Sequence, residues 1–145
     1  MNKLGLPLVV VGTGPEKEAL ERLAGRTITF KGAVSDTELQ DLYGGARALI
    51  IPSEEDFGMV AVEALAVGTP VISSARGGVR EIVVDQVHGL FFNTFMPEIL
   101  AEAILRFIQQ EKSFDRNILK ARAALFSEER FMNELKAVVQ DFRES

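Results

Sequence analysis

The stretch "PSEEDFGMVAVEALAVGTPVI", Pro52 to Ile72, governs the reading of this chain. Its centre, Met59 to Val67, is apolar at every position but one, and the exception is Glu63. A second carboxylate, Glu55, stands eight residues upstream. A helix hydrophobic on nearly all sides is expected to be buried between a sheet and its neighbours. A carboxylate inside it costs several kcal/mol unless it is paired, hydrogen-bonded or open to water. Glu63 therefore lies on a narrow exposed stripe, meets an internal arginine such as Arg76 or Arg80, or faces a wet cleft with work to do.

Outward from this stretch the chain alternates between two textures. "LPLVVVG" (Leu6–Gly12) is a continuous valine-rich run closed by glycine, as expected of a strand buried on both faces. "PEKEALERLAG" (Pro15–Gly25) opens with Pro and acids and ends on Gly, the start and stop signals of a helix. "TITFKG" (Thr27–Gly32) reads as strand, and "SDTELQDLYGG" (Ser35–Gly45) as a helix begun by a Ser35/Glu38 capping box. Strand follows at Ala46–Ser53, helix to Gly68, strand at Thr69–Ser74, a short helix over Gly77–Asp85 and a fifth strand at His88–Phe92. Three helices close the chain: Pro97–Lys112, Asp115–Leu125 and Ser127–Arg143. Strands alternating with helices of about ten residues predict βαβ units, a Rossmann-like parallel sheet covered by helices on both faces. Ligands of such sheets bind at the carboxyl ends of the strands. That directs attention to the loops Gly12–Pro15, Gly32–Asp36, Pro52–Gly58 and Ser73–Gly78.

The bulk properties fit one domain, residues 1–145, with a single core. The 145 residues are 47% hydrophobic and 26% charged, with a net charge of −5. Lys and Arg are scattered, so the basic footprint of a nucleic-acid binder is missing. With no cysteine there is neither a disulfide nor a thiolate metal site, as suits a reducing cytoplasm. No apolar run approaches the roughly 18 residues of a membrane span.

Two glycine loops could seat a phosphate. "GTGPEK" sits between strand and helix, but a dinucleotide fingerprint needs glycine where Lys17 stands and an acid where Lys31 stands. It reads as a tight turn, and a dehydrogenase is disfavoured. In "EEDFGMV", Gly58 admits close approach, and the amides of Gly58, Met59 and Val60 are first-turn donors at a positive helix end. Glu63 lies five residues beyond Gly58, about 7–8 Å down the axis, with its side chain leaning back toward the N-terminus. A phosphate at the tip would bring an attached ribose to Glu63, whose carboxylate can accept from both hydroxyls of a vicinal diol. Glu55 would flank the same anion from the other side.

"PSEEDFGMVAVEALAVGTPVI" followed by "GGVREIV" resembles the donor-site signature of retaining glycosyltransferases of the GT-B fold, the family 4 group. The mark is two glutamates separated by seven residues around Phe-Gly, here Glu55 and Glu63 around Phe57-Gly58. "VVVGTGPEKEAL" and "FKGAVSDTEL" resemble further family segments, and the likeness covers about residues 5 to 110. It implies that Glu63 holds the ribose hydroxyls and Glu55, the catalytic-site glutamate, a hydroxyl of the donor sugar. The amides of Phe57, Gly58, Met59 and Val60 would meet sugar and phosphate. Val34, Asp36 and Leu39 would lie near the nucleobase of a UDP- or GDP-linked sugar, with no metal and no separate cofactor.

Such enzymes have two domains closing over a cleft, and only the second resembles this chain. The expectation is a donor-binding half-domain lacking the acceptor domain and its own first βα unit, inactive alone and completed in cis or in trans. Apolar surface left by the missing part predicts self-association. The rival from another class is a non-catalytic Rossmann-like interaction or scaffold module that has lost nucleotide-sugar binding. His88, Tyr43, Arg76 and Arg80 are expected to serve structure.

Overall fold

Strand and helix succeed one another in the order expected, and the structure, a computed structural model, describes residues 1–144. The chain divides into two compact units, Met1–Leu42 and a second beginning at Tyr43.

In the first unit a 3-10 turn (Asn2–Leu4) precedes β1 (Leu8–Val11), α1 (Lys17–Leu23), β2 (Ile28–Gly32) and the start of α2 (Asp36–Gly45). β1 and β2 pair in parallel, Leu8 opposite Ile28 and Val10 opposite Phe30. β1 is not buried on both faces as its valines suggested. Leu8 and Val10 are half-buried, whereas Val9 is 46% and Val11 38% exposed. Val9 and Val11 share the face that is left largely uncovered, so the continuous apolar run overstates the strand's burial. The start of α2 is half of the expected capping box. The Ser35 hydroxyl accepts from the Glu38 amide at 3.2 Å, but the Glu38 carboxylate pairs with Lys31 at 2.7 Å.

The second unit holds β3 (Leu49–Ile51), α3 (Met59–Ala66), β4 (Val71–Ser74), α4 (Val79–Ile82), β5 (Gly89–Phe92), α5 (Pro97–Gln110), α6 (Arg116–Ala124) and α7 (Glu128–Glu144). Its sheet is parallel in the order β3-β4-β5, with Ile72 between Ile50 and Leu90. The middle strand is buried at all four positions. Around it Leu65, Val71, Ile72, Val79, Leu90 and Leu119 are fully buried. Such side chains each contribute about 1.5–3 kcal/mol by leaving water, and they fix the layer in which α3 sits. Pro97 starts α5, and the Asp115 carboxylate caps α6 by accepting from the Asn117 amide at 2.7 Å. Parallel ladders flanked by helices, with additional C-terminal helices, make this a Rossmann-like α/β fold.

Candidate functional site

β3 ends at Ile51, and the loop to α3 is fastened before the helix begins. The Ser74 hydroxyl donates to the Ser53 carbonyl at 3.1 Å, and the Gly78 amide donates to the Glu55 carbonyl at 2.7 Å. Glu55 and Gly77 form an isolated parallel bridge. A Cβ on Gly77 would stand 2.3 Å from the Glu55 oxygen, and one on Gly78 would stand 2.2 Å from the Asp56 oxygen. The paired glycines exist to let two backbones touch. On the side-chain level, the Ser53 hydroxyl donates to Glu55 Oε1 at 3.1 Å. The loop after β4 thus sets the Glu55 backbone, and Ser53 sets its carboxylate.

Gly58 turns the chain into α3 with φ 72°, the left-handed region. A side chain there would meet Ile82 Cδ1 at 2.9 Å and the Val79 backbone at 3.3 Å. No side chain caps the first turn of α3. Phe57 (83%) and Met59 (59%) stand exposed beside it, and Val60 is half-buried. First-turn amides carry the positive end of the helix dipole, so this tip suits an anion.

Glu63 is the one charged residue on the solvent-facing stripe of α3. Ala61, Ala64 and Leu65 are buried, while Met59, Glu63 and Ala66 are exposed at intervals of four and three residues. The helix is therefore not buried all round, and no internal arginine meets Glu63. Its partner is Tyr43, whose hydroxyl donates to Glu63 Oε2 at 3.1 Å. Tyr43 is only 8% exposed, and its phenol is pushed up to about 12 by burial first, then by the Glu63 charge and hydrogen bond. Sequence reading placed Tyr43 in helix packing and missed this bond, because nothing in spacing pairs residues twenty apart on different helices. The lone tyrosine and the lone carboxylate of α3 were the available signals.

Val34, Asp36 and Leu39 belong to the first unit, at the β2–α2 connection and the opening of α2. Val34 and Leu39 are half-buried and Asp36 is exposed. The second-unit residues Glu55, Phe57, Gly58, Met59, Val60 and Glu63 cluster from loop to mid-helix. They line neither the apolar cleft of about 180 Å³ between Pro52, Phe92, Phe95, Met96, Pro97 and Leu100, nor the polar one of about 300 Å³ beside Gln86 and Arg106.

Of the remaining candidates, His88 and Arg76 have structural partners, while Arg80 stands exposed on α4. His88 is buried, and its Nδ1 accepts from the Val84 amide at 3.0 Å; burial, then the Arg122 charge, lowers its pKa. Arg76 lies 5.5 Å over the Phe95 ring. Arg122 donates Nε to the Ile82 carbonyl at 2.7 Å and Nη2 to the Glu81 carbonyl, closing the C-terminus of α4. Arg116 does the same for α3 through the Val67 carbonyl at 3.1 Å. Among the described residues no group of three or more His, Asp or Glu could hold a metal ion, and no helix is long and apolar enough to cross a membrane.

Residues 2–124 match the family described as Glycosyl transferases group 1. A D-inositol 3-phosphate glycosyltransferase of Streptomyces griseus is 38% identical over 112 residues, 72% of this chain and 24% of that protein. A GDP-mannose-dependent alpha-(1-6)-phosphatidylinositol dimannoside mannosyltransferase of Mycobacterium tuberculosis is 32% identical over 126 residues, 85% of this chain and 32% of that one. Among solved structures, the sucrose-phosphate synthase of Thermosynechococcus elongatus superposes with a TM-score of 0.80 at 31% identity, covering 94% of this chain and 39% of its own. The chain spans about a quarter to a third of the length of these curated relatives. With its Rossmann-like sheets, its terminal helices and the Glu55–Glu63 segment inside the matched region, the chain belongs to the group 1 glycosyltransferases, as a domain of the GT-B type.

Proposed function

We propose that this chain is the donor-binding half of a retaining, metal-independent family 4 glycosyltransferase, acting in the cytoplasm. The whole enzyme transfers a hexose from a UDP- or GDP-linked sugar to an acceptor hydroxyl. The observation that carries this reading is Glu63 on the exposed stripe of α3, one turn below a helix tip that no side chain caps. The tip receives the diphosphate through the amides from Phe57 to Val60. Glu63 accepts from the ribose diol, and Glu55, held by Ser53 and by the Gly78 amide, accepts from a hydroxyl of the donor sugar. Val34, Asp36 and Leu39 contact the base.

Retention places the new glycosidic bond on the face of the anomeric carbon from which the diphosphate departs. Oriented amides at the helix start stabilise the charge that develops as the sugar–phosphate bond breaks, with no reorganisation at that moment. Glu55 fixes the ring that loses its leaving group. The chain carries no acceptor site of its own in this reading. An acceptor domain, in cis or in trans, closes over the open face and excludes water, and without it the chain binds but does not turn over. The exposed apolar residues of α7 drive self-association of the isolated chain.

Titration of the ¹⁵N-labelled chain with UDP, GDP and their sugar conjugates at millimolar concentration tests the assignment. Shifts concentrated at residues 55–63 are expected. A spectrum that stays still with every one of these ligands leaves the scaffold-module reading standing.

A further inference from the structure

Glu63 needs a fixed carboxylate to grip a diol, yet it sits on the exposed stripe of α3, where a glutamate ordinarily samples many rotamers. Among the described residues its carboxylate accepts a single hydrogen bond, from Tyr43 Oη at 3.1 Å. Among the described residues it has no ion-pair partner.

Tyr43 is held at both ends against the same helix. Its carbonyl accepts from the buried Thr69 hydroxyl at 2.6 Å, and Thr69, three residues past the end of α3, is tied back to that helix by its amide, which donates to the Ala64 carbonyl at 2.9 Å. The Ala46 amide donates to the Tyr43 carbonyl as well, at 3.1 Å. The backbone of Tyr43 is thereby registered to the end of α3, and the buried ring carries the hydroxyl back to the middle of it. A rigid aromatic spacer with two torsions delivers the donor at a set height.

We propose that Tyr43 is a positioning residue for Glu63: it freezes the carboxylate in the rotamer that meets the ribose diol, while leaving the acceptor sites the diol needs. An ionised carboxylate offers about four lone-pair sites, and the Tyr43 hydroxyl occupies one of them. Oε1 and the second lone pair of Oε2 stay open for two hydroxyls. Immobilising a rotamer-rich side chain on binding costs affinity, and a side chain already held does not incur that loss. Burial and the Glu63 charge both keep the phenol protonated, so the donor persists across the physiological range.

This inference rests on the proposed role of Glu63 at the ribose. Its test is Tyr43→Phe, which keeps the buried ring and removes the hydroxyl, with Glu63 side-chain scalar couplings recorded in the free protein. Affinities for UDP and GDP are compared with those for their 2′,3′-dideoxy counterparts. The native chain is expected to prefer the ribonucleotide and to show one dominant Glu63 rotamer. Y43F is expected to average those couplings and to lose roughly three- to tenfold in ribonucleotide affinity, with dideoxynucleotide affinity unchanged within about twofold. A native preference for ribose that Y43F leaves intact overturns the positioning role and spares that of Glu63. A native chain indifferent to the ribose hydroxyls overturns both.

Discussion

The Gly78 amide donates to the Glu55 carbonyl at 2.7 Å, so the position of a proposed sugar-binding glutamate is decided by a residue 23 places further along the chain. That bond is available only because neither Gly77 nor Gly78 has a side chain to hold the backbones apart.

Gly77→Ala should therefore reach the donor site without touching it. Alanine at φ 72° is strained, and its Cβ would press on the Glu55 carbonyl from 2.3 Å. A stability loss of about 1–3 kcal/mol is expected. Hydrogen exchange should quicken at residues 53–58, and nucleotide-induced shifts there should weaken. Unchanged exchange in that loop would contradict the clasp.

Tyr43 is the chain's one tyrosine, and there is no tryptophan, so its ionisation is readable by near-ultraviolet absorbance. Its phenol should titrate near 12, against 10.0 for a free group. Between those values the unfolded chain sheds a proton that the native chain keeps. Stability on this account is full below pH 10 and falls by about 2–3 kcal/mol as pH climbs to 12. Glu63→Gln should bring the titration partway down, because the charge leaves while burial, the larger cause, remains.

His88 should govern the acid side near neutrality. Its folded pKa lies below 6.5, since burial and Arg122 oppose the charged form and Nδ1 is engaged as an acceptor. Its contribution is present above pH 6.5 and is lost as pH falls through the folded value. His88→Ala should cost about 1–3 kcal/mol at pH 7.5 and flatten the dependence between pH 6.5 and the onset of carboxylate titration. Urea midpoints across that range measure it.

The apolar stripe of α7, with Phe131, Leu135 and Val138 on view, should be separable from the fold. Leu135→Asp together with Val138→Asp is expected to leave the thermal midpoint within about 2 °C, since both residues lie outside the core. Sedimentation should show less self-association for this variant at 100 μM. Unaltered sedimentation would place the sticky surface elsewhere.

Much of the fold was legible because its punctuation is local. Pro97, Asp115 and the glycine after α3 act within one helical turn, and each element falls within a few residues of where these signals set it. Burial was less legible. Val9 and Val11 look like core residues in a valine run, but what covers a face is decided by the rest of the molecule. For Glu63 the sequence left an exposed stripe, an internal arginine and a wet cleft open, because its eight apolar neighbours do not say which side of the helix is covered; the structure exposes it. The Glu55–Phe57–Gly58–Glu63 spacing stood out in the chain, whereas the groups that hold it, Ser53, Gly77, Gly78 and Tyr43, act across loops. Only Ser53 is close in sequence to its target.

α6 bears on where such a chain could be trimmed. Arg116 ties off the last carbonyl region of α3 at Val67, and Arg122 does so for α4 at Glu81 and Ile82. Positive charge at a helix's C-terminal end complements its dipole, and here one short helix serves two others. Those two meet at Gly58, where α3 begins against Val79 and Ile82 of α4. A shortened version ending at Ser113 would keep every strand and still release both helices at their far ends, loosening the junction beside Glu55. A practical minimal fragment has to run through Ala124, the residue at which the family match also stops.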